Sequence, residues 1–304
     1  MQAIADRLAA PIFTPRQLLW LHYADVRDHF EELLATVAGL EEIGADEAAR
    51  LLPVLLREPL RDAAVDRSAV EVDVPVLLAA YRATAVQAGT EILLGTRVDA
   101  AERIGDTWRL AAGDRTIEAA VVVDAAGAWA DPVARIFGVR PRALVPKRRT
   151  VVVAPSPARA VDPLWPMAAD VADTFYFRPR GEAILASALE DEVSEPEDAQ
   201  PRADVVETVL QRVNAVTDLA LGAPTMAWTG LRTLSPDASP VVGRDEEVPG
   251  FYWLAGQGGY GIQTSAGLAA LVAADLLGVP HPLDGVEGVL DALAPARFAP
   301  IASA

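Results

Sequence analysis

The sequence predicts a mixed α/β protein of two discontinuous domains, a nucleotide-type fold into which a mixed or antiparallel sheet is inserted. Three observations carry that expectation. Helical and strand periodicities alternate early in the chain, a strand-rich block with one helix follows, and strand, glycine turn and helix return near the C-terminus. No internal repeat or low-complexity segment interrupts the 304 residues. Apolar residues make up 52% of the chain, which is enough for a substantial core.

In chain order, Pro11 to Tyr23 reads as strand, because aromatic and aliphatic residues cluster and two prolines block a helix. Asp25 is placed to cap a helix running to about Leu40, and a shorter helix from Asp46 to Leu52 ends at Pro53. Asp73 and Pro75 start a further helix whose apolar pattern continues through Leu77, Leu78, Tyr81 and Ala85 until Gly89. The period then changes to that of strands at Glu91–Leu94, Val98–Ile104 and Thr107–Ala111, with Gly105-Asp106 turning a hairpin. Ile117–Asp124 is apolar enough for one fully buried strand, and Asp131-Pro132 opens a helix that Gly138 closes.

Residues 145–154 form a strand with three cations at its start, and Thr174–Arg178 and Ala183–Ala186 are two more. Glu190 to Asp204 is acidic and polar and reads as a solvated loop before a helix at 204–217. Thr225–Arg232 is a strand and Ser235–Gly243 a loop. Phe251–Ala255 is a buried strand, four glycines stand between positions 256 and 261, and an Ala/Leu-rich helix follows to Leu277. Such a corner directs free N–H groups and the positive end of a helix dipole at whatever lies in the turn. Gly256, Gly258 and Gly261 satisfy G-x-G-x-x-G, but no second parallel strand with an acidic end follows, so the ordinary dinucleotide fingerprint is rejected. A purely structural turn is the alternative.

The domain boundaries that follow place residues 1–60 and 146–235 in a substrate domain. Residues 61–145 and 236–290 form the nucleotide-type domain, and 291–304 are a tail.

Composition removes several function classes. A formal net charge of −17 argues against nucleic acid or anionic membrane as partner. Without cysteine there is no disulfide, thiolate chemistry or cysteinyl cofactor link. The three histidines suit neither a metal site nor a Ser-His-Asp triad. No membrane-length apolar run or signal sequence is visible, so the expected location is cytoplasmic. Three signals are left. They are the turn at Gly256–Thr264, the strand end Asp124-Ala125-Ala126-Gly127-Ala128-Trp129, and the cations Arg149 and Arg232 with Tyr176. Two guanidiniums converging with a phenol would clamp a carboxylate, whereas the plainer alternative pairs them with some of the 43 acidic side chains.

These residues carry a resemblance. Val123–Trp129, Val145–Arg149, Trp165–Met167, Phe175-Tyr176, Trp228–Arg232 and Gln257–Ser265 resemble, in family order, the FAD-dependent D-amino-acid oxidase superfamily, and within it most closely the D-arginine dehydrogenases. The resemblance implies an FAD-binding Rossmann-like domain with an inserted substrate domain. It implies that Arg149, Tyr176 and Arg232 hold the substrate carboxylate, and that Gly259, Tyr260, Gly261, Ile262, Gln263 and Thr264 lie along a non-covalent FAD, with Gly259 and Gln263 nearest the reacting end. Val98 matches a backbone contact to the adenosine, and Ala126, Gly127 and Trp129 match the strand end beneath the cofactor. The implied reaction oxidises the C–N bond of a D-amino acid to an imine, which hydrolyses to a 2-oxo acid and ammonia.

Two departures modify the expectation. The family's opening strand, glycine-rich turn and helix, the βαβ unit that cradles the FAD pyrophosphate, has no counterpart here. The alternative function is therefore a non-catalytic remnant, or a subunit needing a partner chain that carries the unit. Leu18 stands where the arginine-specific relatives have a glutamate, and with Met167 it implies a neutral or apolar substrate side chain. The absence of cysteine separates the chain from the covalent-flavin sarcosine oxidases.

Overall fold

The computed structural model describes residues 12–23, 26–281 and 283–298. The fold is mixed α/β, as predicted. Where one strand is expected at the start, there are two: β1 (Phe13–Pro15), paired with β5, and β2 (Leu18–His22). Helix α1 (Arg27–Thr36) stops short of Leu40 because Val37 is extended and Gly39 has φ 85°; Asp25 lies outside the described residues. Strand β3 (Glu41–Gly44), helix α2 (Ala45–Leu51), β4 (Asp62–Asp66) and β5 (Val70–Val72) follow. None of these short strands is expected from the sequence. β3 buries only Ile43, and β4 reads Asp-Ala-Ala-Val-Asp, a weak strand pattern set by its neighbours. Asp73 does cap α3 (Val74–Gln87), its Oδ1 accepting from the Val76 N–H at 3.0 Å.

Glu91–Leu94, expected as a strand, is irregular and carries an exposed Ile92 and Leu94. The strands β6 (Val98–Ile104), β7 (Thr107–Ala112) and β8 (Arg115–Ala119) form an antiparallel meander. The single strand expected over Ile117–Asp124 is divided. Its first part belongs to β8, and after a bend at Ala120-Val121 its second part, β9 (Val122–Asp124), pairs in parallel with another sheet. A continuous apolar run cannot reveal that bend, since both halves are in cores. Helix α4 (Ala130–Ile136) follows.

Beyond it come β10 (Val145–Pro155), β11 (Met167–Asp170), β12 (Tyr176–Arg180), β13 (Ala183–Ser187), α5 (Ala203–Val216) and β14 (Met226–Leu234). With β2, β3 and β4 they make an eight-stranded sheet in the order β14-β10-β13-β12-β11-β2-β4-β3. The sheet therefore extends past residue 60 to include Asp62–Asp66. One face buries Leu19, Leu21, Val152, Ala154, Phe177, Ile184 and Ala186 against Val209, Val213 and Val216 of α5. These helix positions recur at one stripe, by which α5 packs on that face, with Ala48 of α2 and Leu52 in the same core. Strand alternation sends the intervening residues, Leu18, Trp20, Tyr176 and Arg149 among them, to the opposite face.

The third sheet is β15 (Val241–Arg244), β16 (Phe251–Ala255) and β9, with β16 central. Phe251, Tyr252 and Trp253 are each at most 1% exposed, since the β7 side covers one face and α6 (Gly261–Leu277) the other. Helix α6 ends on Gly278 at φ 65°, whose N–H reaches the carbonyls of Ala274 and Asp275. A short α7 (Val289–Leu293) lies in the segment expected to begin the tail. No helix among the described residues is long and apolar enough to cross a membrane.

Candidate functional site

The site forms where the far end of β14 meets the corner between β16 and α6. The Gly258 N–H donates to the Thr233 carbonyl at 2.9 Å, tying the corner to β14. Gly256 and Gly258 adopt φ 74° and 54°, the left-handed region that lets the chain reverse within two residues. Gly259 needs its missing side chain for a different reason, because a Cβ there would stand 3.1 Å from Nη1 of Arg232. The guanidinium lies directly against the corner's backbone.

Arg149 comes from β10 and Arg232 from β14. The pairing sets Arg232 opposite Lys147 and Gly230 opposite Arg149, so both arginines project from the same face two residues apart along the ladder. They line a cavity of about 500 Å³ together with Gly259, Tyr260 and Gln263. Tyr176 stands on that face of β12. Burial lifts its phenol pKa, while the charges of Arg232, Arg178 and Arg149 act in the opposite direction. Burial and the neighbouring Arg232 charge depress the pKa of Arg149, and Asp191 and Glu190 partly offset this. Nη2 of Arg149 is 3.8 Å from Asp191 Oδ1, and its buried Nε has no hydrogen-bond partner. A planar anion entering here would meet two guanidinium forks; the Tyr176 phenol, near enough to feel both charges, does not itself line the cavity.

Sequence reasoning missed Asp173, Leu189, Asp191 and Leu234, which also line this cavity. Asp191 belongs to the acidic segment read as solvated, yet it pairs with Lys147 as well as Arg149. Three adjacent cations on one strand were the available signal that some of those acids fold back.

The other expected residues divide between places. Gly261, Ile262, Gln263 and Thr264 open α6, whose first N–H groups have no side-chain cap; Thr264 donates its hydroxyl to the Tyr260 carbonyl at 2.9 Å. Ala126, Gly127 and Trp129 line a second cavity of about 450 Å³ with Thr229 and Gly230, so β14 borders both. Leu18 and Met167 are register partners on β2 and β11 but do not line the clamp cavity. Val98 starts β6, half-buried against the core around Trp108. Among the described residues no cluster of histidine, aspartate and glutamate could hold a metal ion.

At the end of β9, Asp124 is 2% exposed. Its Oδ1 accepts from the Ala126 N–H at 3.1 Å, and Oδ2 is buried without a partner. Burial, with a smaller contribution from Asp131, raises its pKa from 3.8 to about 7, against the Ala126 hydrogen bond. The folded protein thus retains a proton that the unfolded chain releases above pH 4. Its stabilising contribution is full below the unfolded pKa and is lost as pH rises through about 7. Thermal melts of wild type and Asp124→Asn should diverge between pH 5 and pH 8, the variant gaining relative stability at the higher pH; a constant difference would count against a neutral Asp124.

The corner brings a glycine backbone, uncapped helix N–H groups and the orphaned Asp124 carboxyl oxygen to neighbouring strand ends, where open α/β sheets take ligands. Donors of this kind suit an anionic or electron-rich group.

Comparison with known proteins bears on that fit. The family model described as DAO, FAD dependent oxidoreductase, matches residues 1–275. Hydrogen cyanide synthase subunit HcnC of Pseudomonas aeruginosa is 30% identical over 193 residues, which cover 62% of this chain and 44% of that protein. The chain thus spans less than half of that relative's length. Among solved structures, glycine oxidase from Geobacillus kaustophilus superposes with a TM-score of 0.83 at 21% identity, covering 98% of this chain and 79% of that one. L-proline dehydrogenase from P. horikoshii gives 0.82 at 18% identity, with 98% and 80% covered. Iminodiacetate oxidase from Chelativorans sp. BNC1 gives 0.80 at 20%, with 98% and 79% covered. At these identities the structural likeness speaks for the fold.

Proposed function

The chain belongs to the DAO family of FAD-dependent oxidoreductases, and on that premise we propose that it oxidises the C–N bond of a D-amino acid with a neutral or apolar side chain. FAD is the family's cofactor, and when bound it accepts the two electrons of the Cα–H bond. Gly259 to Thr264 would hold it on one side, and Ala126, Gly127 and Trp129 on the other. With no cysteine in the chain a cysteinyl link to the flavin is ruled out, and the resemblance implies non-covalent binding.

The chain's own residues orient the substrate. Arg149 and Arg232 bind its carboxylate in bidentate fashion, and Tyr176 adds a hydroxyl donor. The amine reacts in its neutral form. Loss of the Cα hydride and one N–H proton leaves an imine, and water converts this to a 2-oxo acid and ammonia. The α6 N-terminus favours negative charge developing beside it. The neutral-substrate reading rests on the resemblance, in which Leu18, register partner of Met167, stands at the glutamate position of the arginine-specific relatives; neither residue lines the clamp cavity.

The observation that carries this reading is the convergence of Arg149 and Arg232 with Gly259 and Gln263 on one cavity. It is tested with flavin-loaded protein and matched D- and L-amino acids, following reduction of an artificial electron acceptor. Turnover confined to D-amino acids supports it, and loaded protein that oxidises neither enantiomer overturns it.

A second reading makes the chain a subunit whose partner supplies a glycine-rich βαβ unit. It rests on β9, which ends its sheet with Val121 and Val123 exposed. Under this reading the isolated protein is colourless and takes up one equivalent of FAD only with the partner present.

The corner itself yields a further expectation. In Gly259→Ala the new methyl must displace the end of the Arg232 side chain. A flexible guanidinium moves cheaply, so the melting temperature should hold within a few degrees, whereas KM should rise roughly tenfold as the clamp loses alignment. Steady-state kinetics beside a thermal melt separates the two.

A further inference from the structure

We propose that a third cavity, adjoining the clamp, houses the substrate side chain and selects a bulky aromatic one; this rests on the reading of Arg149 and Arg232 as the carboxylate site. This third cavity measures about 380 Å³, and Asp173 and Tyr260 line both it and the clamp cavity. A carboxylate held by the two arginines therefore points its remaining substituents past the Tyr260 ring.

Beyond that ring the apolar walls are Trp20, Leu33 and Val171, with His29 and Thr36 at polar positions among them. Trp20 is on the open face of the eight-stranded sheet because its neighbours Leu19 and Leu21 are fully buried on the other. Leu33, half-buried on α1, lines the same cavity. Indole, phenol and branched apolar groups thus surround a space suited to another ring.

Charge discriminates further. No lysine or arginine lines this cavity; Glu32, Asp173 and His29 do, and neither carboxylate has an ion-pair partner among the described residues. A substrate side-chain carboxylate would meet two like charges, with the His29 imidazole the one basic group beside them. A cationic side chain would meet two exposed carboxylates, and pairing at such positions is worth at most about fivefold in affinity. Burying an aromatic ring is worth about 30-fold. Ring burial therefore outweighs charge, and Glu32 remains available to accept from an indole N–H or phenol O–H.

The test uses two carboxylates that lack the amine and cannot be oxidised, propionate and indole-3-propionate, titrated calorimetrically into the flavin-loaded protein. Indole-3-propionate should bind about 30-fold tighter. In Trp20→Ala that ratio should fall to about threefold or less. Because Trp20 sits in the large sheet, Leu33→Trp on α1 serves as a second variant; it fills the cavity and should likewise collapse the ratio. Equal affinities in wild type, or a ratio untouched by both variants, overturn the proposal. Propionate binding that survives Arg232→Ala removes the clamp itself and is thereby distinguishable from failure of the side-chain cavity.

Discussion

Replacing Arg232 by alanine is expected to raise KM for every amino-acid substrate by roughly 10- to 100-fold, the worth of a charge-assisted hydrogen bond to a group that all of them share. The effect should be uniform across side chains, since Arg232 lines the cavity proposed for the carboxylate and not the cavity beyond Tyr260. The second guanidinium sets the size of the loss. Arg149 already has Asp191 at 3.8 Å and a buried, unpartnered Nε, so without Arg232 it holds the substrate alone against an internal carboxylate. Arg232→Lys restores charge without the planar fork and should recover only part of the affinity. The measurement is KM and kcat for a small and a large substrate in wild type and both variants. A change in kcat alone, or one confined to a single substrate, would mean that Arg232 does not bind the common carboxylate.

How much of this was legible in the sequence depends on the range of the contacts. The β16 strand, glycine corner and α6 were readable because each is a local pattern: apolar run, glycine cluster, helical spacing. The same holds for the Asp73 cap and for α5. The convergence of Arg149 and Arg232 depends on β10 pairing with β14 in one register across an intervening hairpin and helix. Nothing local states that register, so the sequence left those cations equally free to pair with acids. Arg149 in fact does both, facing the cavity while approaching Asp191. Strands that escaped notice include β3, β4, β5, β11 and β15, the last partly within the expected loop Ser235–Gly243; all are five residues or shorter and owe their conformation to neighbours already in place. The division of Ile117–Asp124 between two sheets was hidden for a related reason: periodicity records burial, not which sheet provides it.

The largest expected effect on stability lies away from the cavity. Asp245→Ala should cost about 3–5 kcal/mol, because it strands a buried cation. The side chains of Arg142 and Asp245 are each 1% exposed, with Arg142 Nη2 2.7 Å from Asp245 Oδ2. That oxygen also accepts from Trp253 Nε1 at 3.0 Å, and Oδ1 accepts the N–H groups of Glu247 and Val248 at 3.1 and 3.0 Å. Four donors thus converge on one carboxylate beneath β16. Nε and Nη1 of Arg142 have no partner of their own, and its guanidinium lies 5.7 Å over the Trp253 ring, so loss of Asp245 leaves it without compensating charge. Removing both partners should be milder than removing one. The double variant Arg142→Met with Asp245→Leu eliminates the stranded charge and should recover part of the loss. Urea titrations at unchanged m-value provide the comparison, with midpoints ordered wild type, double variant, then Asp245→Ala. If the double variant were the least stable of the three, the carboxylate would act mainly by fixing the turn before β16, and the ion pair would be incidental to it.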